Sequence, residues 1–123
     1  MRDARELAMG MDRRRPPRSH LPLRPVEFQI LLSLASGERH GYGVLQDAED
    51  RGERIDVGTL YRGLARLAER GWIRPAAAAA DDERRNNYAI TDYGLKVARA
   101  EAARLAALTR AARSGGLLPE TAS

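Results

Sequence analysis

Val57-Gly58-Thr59-Leu60-Tyr61-Arg62-Gly63-Leu64-Ala65-Arg66-Leu67-Ala68-Glu69-Arg70-Gly71-Trp72-Ile73 is the stretch on which the fold turns. Leu60, Leu64 and Leu67 recur at the i, i+4, i+7 spacing that lines one edge of an α-helix. Asp56 stands where an N-cap carboxylate can accept from the first free N–H groups, and Gly71 where a helix ends in a C′ residue. The spacing predicts a helix from Val57 to Arg70 with a narrow buried stripe. Arg62, Arg66 and Arg70 fall on the opposite edge. A helix packed along one edge and Arg-rich along the other fits a major groove roughly 12 Å wide. Gly58 and Thr59 at its N-terminus allow close backbone approach, and free N–H groups there suit a phosphate. Read alone, three arginines at helical spacing also describe an ordinary solvated face.

The flanking segments add context. Pro25 pre-sets a helix start, and Val26, Phe28, Ile30, Leu31, Leu32 and Leu34 make that helix apolar nearly all round, so it is expected to be central and buried. Ser36-Gly37 ends it. His40-Gly41 opens a second helix, with Tyr42, Val44, Leu45 and Ala48 expected inward and Asp47, Glu49 and Asp50 outward; Gly52 closes it. After the third helix, Trp72-Ile73-Arg74 reads as a strand stopped by Pro75, and Tyr88-Ala89-Ile90 as a second. Thr91 caps a last helix running to about Arg113, ahead of Ser114-Gly115-Gly116. The expected fold is mainly α with a small β-hairpin: a winged helix-turn-helix over 21–90, a long C-terminal helix over 91–113, and a flexible tail over 114–123.

Charge refines this order. Over 123 residues, 21 Lys plus Arg oppose 17 Asp plus Glu, giving a formal +4. All the cations are Arg except Lys96, a bias that a GC-rich genome also produces. Residues 1–20 carry six Arg against three acids (+3), residues 40–56 two against five (−3), and residues 57–74 four against one (+3). Basicity is therefore concentrated in an N-terminal tail and in the third helix. Arg13-Arg14-Arg15-Pro16-Pro17-Arg18 reads as an extended, solvated linker. Asp3 and Glu6 ahead of Leu7, Ala8 and Met11 allow a short helix at 1–11.

Enzyme chemistry lacks its parts. There is no Cys, and His20 and His40 lie in unlike segments, with neither paired carboxylates nor a Gly-rich phosphate loop beside them. That leaves no disulfide, no metal-ligand spacing and no catalytic constellation. No apolar run approaches the ~20 residues of a membrane span, so a soluble, cytoplasmic protein with no membrane partner is expected.

Four motifs occur in order: His40-Gly41-Tyr42; Gly58-Thr59-Leu60-Tyr61-x-x-Leu64-x-x-Leu67; Gly71-x-Ile73; and Tyr88-x-Ile90-Thr91-x-x-Gly94. Together, over residues 21–113, they resemble the PadR family of bacterial winged-helix transcriptional regulators. The resemblance implies a third helix that reads the major groove, a wing that touches phosphates, and a C-terminal helix that forms a homodimer. It also implies repression and a small-molecule effector of unspecified chemistry, and no cofactor is expected; Trp72 and Tyr93 are candidate linings for an effector, Trp72 being more readily read as core. Gly58, Thr59 and Tyr61 match the family's recognition-helix signature, and Tyr42 matches a position whose expected role is packing. His40 is expected as a turn or cap residue. Two departures stand out: Arg62 occupies a place where the family often has Pro, and Asn86-Asn87 precede Tyr88 where it favours an aromatic and a basic residue.

The expected DNA contacts are Gly58, Thr59, Tyr61, Arg62, Arg66, Arg84 and Arg85. On the last helix Leu95, Ala98, Ala102, Leu105, Thr109 and Ala112 follow a 3-4-3-4-3 spacing, the expected dimer seam. A sequence-specific, homodimeric DNA-binding repressor is the first reading. The alternative is a winged-helix protein–protein interaction module whose Arg stripe meets an acidic partner surface.

Overall fold

The computed structural model describes residues 15–76 and 87–119. Within them a 3-10 turn (Pro17–His20) precedes α1 (Pro25–Ala35), β1 (Arg39–His40), α2 (Gly41–Asp50), α3 (Val57–Glu69), β2 (Ile73–Pro75), β3 (Asn87–Ile90) and α4 (Asp92–Ser114). The expected helix at 1–11 lies outside the described residues.

Local chemistry explains the boundaries. Glu27, third residue of α1, accepts the N–H of the N-cap Arg24 over 3.0 Å. His40 Nδ1 accepts from Tyr42 N–H, so His40 is the cap the sequence suggests. Asp56 Oδ2 caps α3 through Thr59 N–H (2.9 Å), and Thr91 Oγ1 caps α4 through Gly94 N–H (3.0 Å). Gly52 and Gly71 take the positive φ that ends α2 and α3 without steric cost.

α1 lies at the centre, packed by α2, α3, α4 and β3. Ile30, Leu31 and Leu34 of α1 meet Leu60, Leu64 and Leu67 of α3, Val44 of α2, Val97 of α4, and Trp72 and Ile73, all buried. Each such side chain contributes roughly 1.5–3 kcal/mol by leaving water. Leu32 departs from the expectation that α1 is buried all round: it is 38% exposed, on the side of the helix that also carries exposed Pro25 and Ser36.

The sheet has three strands in the order β1-β3-β2, one more than the sequence predicts. β2 pairs with β3 through Ile73 opposite Ile90, and β1 pairs on the other edge of β3 through Arg39 opposite Tyr88. Residues 15–20, which charge groups with the tail, are docked on α4. Tyr93 Oη donates to the Arg15 carbonyl (2.7 Å) and lies 2.8 Å from His20 Nε2, while the His20 ring packs on Trp72 with centroids 5.0 Å apart.

Candidate nucleic-acid interface

The first turn of α3 is organised around Asp56. Its Oδ2 accepts from both Thr59 N–H and Thr59 Oγ1 (3.1 Å), and Arg62 Nη2 donates in turn to Thr59 Oγ1 (3.2 Å). The Thr59 amide, first, and its hydroxyl hold the Asp56 carboxyl below its ordinary value, with a smaller contribution from the Arg62 charge. The helix N-terminus expected to be open to a phosphate is thus engaged by the protein's own carboxylate. Gly58 leaves room for the Arg62 guanidinium, whose Nη1 lies 3.1 Å from where a Gly58 Cβ would stand.

Beyond this turn the outer face of α3 is open. Val57 is 56% exposed, Arg62, Ala65 and Glu69 are exposed, and Tyr61 is 36% exposed. The Tyr61 ring rests on α2: its hydroxyl lies 2.9 Å from the position a Cβ on Gly41 would take. A side chain at position 41 would force the Tyr61 ring to shift. Tyr88 of β3 is close by, and its hydroxyl is pushed up by burial and then by Tyr61. The face continues onto α2 through Tyr42, which is 58% exposed rather than packed between helices. Gly41, Val44 and Ala48 form the buried edge of α2, and Tyr42 lies one step round from it.

The arginines separate. Arg62 stays on the outer face. Arg66 turns inward instead, with Nε 3.0 Å from Oε2 of Glu27, a carboxylate buried in α1. Arg70 lies over the Trp72 ring, 4.8 Å from its centroid. A wheel shows direction from the helix axis but not the reach of a long side chain back to a buried acid or ring. Arg84 and Arg85, the expected wing contacts, lie outside the described residues. Arg74 on β2 is exposed.

The last helix divides along its length. Gly94, Val97, Ala98 and Glu101 of α4 face their own domain, so Ala98 of the expected seam is core, at 7% exposure, and Leu95 is half-buried. Further along, Ala102 and Thr109 are exposed and Leu105 and Ala112 half-buried, with Leu108 exposed beside them. Glu101, which sequence reasoning passes over, is a buried anchor. It accepts from Leu23 N–H (3.2 Å) and from Arg104 Nε (2.6 Å) and Nη2 (3.1 Å). The Arg104 hydrogen bonds are the main reason its carboxyl lies below the ordinary 4.5, against the opposing effect of burial. Trp72 is fully buried, so of the two candidate effector linings it is a core residue. Among the described residues no cluster of His, Asp or Glu could hold a metal ion, and no helix is long and apolar enough to cross a membrane.

Comparison with known proteins places this geometry. The model of the transcriptional regulator PadR-like family matches residues 30–100. A transcriptional regulator from Clostridium thermocellum superposes with a TM-score of 0.63 at 25% identity, over 72% of this chain and 87% of the other. A PadR family transcription regulator from Clostridium difficile R20291 gives 0.65 at 18% identity, over 72% and 95%. RosR of H. salinarum gives 0.58 at 23% identity, over 80% and 99%. No protein of curated function matches the chain. A family match across more than half the sequence, on a fold shared with such regulators, makes this chain a member of the PadR-like family of transcriptional regulators.

Proposed function

We propose that the protein regulates transcription by binding a specific site in double-stranded DNA, as a homodimeric repressor. The observation that carries the reading is the outer face of α3. A helix held by Leu60, Leu64 and Leu67 leaves Val57, Tyr61 and Arg62 exposed at its N-terminal half, the half that a recognition helix brings to base edges. Tyr61 and Tyr42 flank that edge with aromatic surface, and Arg74 supplies charge for neighbouring phosphates; Arg84 and Arg85, outside the described residues, are expected from the sequence to add to it. Gly58 and Thr59 act by placing Arg62; Arg66, paired with Glu27, contributes to the packing of α3 on α1.

The second half of α4 supports the dimer. Ala102, Leu105, Leu108, Thr109 and Ala112 carry apolar surface beyond the part of the helix that the chain's own core uses. Pairing through it would set two α3 helices on half-sites about 34–36 Å apart on one face of B-DNA. Occupancy of a promoter by such a dimer represses by excluding the polymerase.

Sedimentation with a duplex of about 30 base pairs from upstream of the protein's own gene tests the reading, since two turns of DNA hold both half-sites. Two protomers per duplex, bound saturably, are expected. Failure to bind the duplex, with retention instead on an acidic protein surface, would replace this reading with the protein-partner one.

A further inference from the structure

Asp56, Gly58, Thr59 and Arg62 form a directional chain on the first turns of α3. The Thr59 hydroxyl donates its one proton to Asp56 Oδ2, which leaves its lone pairs to accept from Arg62 Nη2 over 3.2 Å. Thr59 N–H adds a second bond to the same carboxylate oxygen, so the acceptor at the end of the chain is fixed to the helix backbone. Arg62 runs back towards the helix N-terminus, as helical side chains do, and its guanidinium lies over Gly58. A long, rotatable side chain is thereby held in one place before any ligand arrives.

That place suits a base more than a phosphate. Thr59 uses one of the five guanidinium N–H donors, and the four that remain still include donors on neighbouring nitrogens, as a two-pronged contact needs. Paired guanidinium donors match O6 and N7 of guanine in the major groove. The carboxylate beside them opposes an approaching phosphate by like charge, whereas a neutral guanine edge carries no such penalty. A residue serving only as a phosphate contact gains nothing from an anion at its side.

We propose that Arg62 is the base-specificity residue of α3, reading guanine, and that Thr59, anchored by Asp56 and given room by Gly58, is its positioning residue. This rests on the DNA-binding reading above and adds to it the base that is read and the residues that orient the reader.

Selection of bound duplexes from a randomised library, carried out with the intact protein and four variants, tests it. The wild type is expected to select a G·C pair at one position of each half-site. Arg62→Ala should lose about 10- to 100-fold of the preference for guanine there while keeping the rest of the consensus. Thr59→Val, which retains the backbone cap, and Gly58→Ala, whose Cβ would crowd both the Arg62 guanidinium (3.1 Å) and the Asp56 carboxylate oxygen that anchors the chain (3.3 Å), should relax the same position; Thr59→Ser should keep it. Circular dichroism melts of these variants should match the wild type within a few degrees. A guanine preference that survives Arg62→Ala overturns the assignment. So does a uniform loss over all sequences with a salt slope lowered by about one, the signature of a phosphate contact. Loss in Arg62→Ala alone, with Thr59→Val and Gly58→Ala unchanged, overturns the positioning role. A wild type that selects no consensus overturns the DNA-binding reading itself, and the proposal with it.

Discussion

The Cα of Gly94 is packed directly against the carbonyl group of Trp72, so closely that a Cβ at position 94 would overlap the carbonyl oxygen. The same oxygen accepts from Thr91 N–H (3.1 Å) and Thr91 Oγ1 (3.0 Å), so it joins the end of α3 to the start of α4. Because the obstacle is backbone, it cannot rotate away. Gly94→Ala is expected to destabilise the fold by about 3 kcal/mol, the upper end of the cost of overpacking. Urea unfolding checks this: a midpoint equal to that of the wild type would contradict the contact.

Two arginines on one helix should behave as different kinds of residue. Arg66→Ala leaves buried Glu27 without its charged partner and is expected to cost about 1–3 kcal/mol of stability. Arg62→Ala removes an exposed side chain and should stay within about 0.5 kcal/mol of the wild type. Thermal or urea unfolding of the pair distinguishes them, and equal losses would refute the separation of their roles.

Glu101 makes the docking of α4 sensitive to acid. Its folded-state value lies below the ordinary 4.5 because the Arg104 hydrogen bonds favour the carboxylate. A depressed folded value means stability that is fully present above pH 4.5 and is lost as pH falls through the folded value. Glu101→Gln should be less stable than the wild type at pH 7, and the difference should shrink steadily below pH 4.5. A difference that stays constant down to pH 3 would show that the carboxylate's charge contributes nothing.

The two halves of α4 predict opposite outcomes for one kind of substitution. Leu105→Glu, on the half that projects from the core, is expected to give a folded monomer by sedimentation. Ala98→Glu, which buries a charge among Val97, Leu23 and α1, should unfold the chain instead. A Leu105→Glu protein that still sediments as a dimer would refute the seam.

What could be read in the sequence was local. Asp56 and Thr91 as caps, Gly71 as a helix end, and the Leu60-Leu64-Leu67 stripe depend on neighbours within one or two turns, and each stands where the residues indicate. The parts that were not legible depend on distant partners. β1 is two residues long and owes its strand geometry to the free edge of β3, more than forty positions on. Arg66 meets Glu27 across 39 positions, and Glu101 meets Leu23 across 78. Tyr42 is apolar enough to be expected inside, yet the buried edge of α2 runs through Gly41, Val44 and Ala48 and leaves it outside. The positive charge of residues 57–74 reads as one stripe in the sequence, but packing divides it: Arg66 and Arg70 are drawn to Glu27 and Trp72, and Arg62 is left on the outer face of α3.

The most direct test of DNA-specific regulation is a ratio of affinities at moderate salt. The fragment from upstream of the protein's own gene is titrated beside a scrambled fragment of the same length and composition. A specific site is expected to be bound at least about 10³-fold more tightly than the scrambled one. Equal affinities for the two would contradict the account.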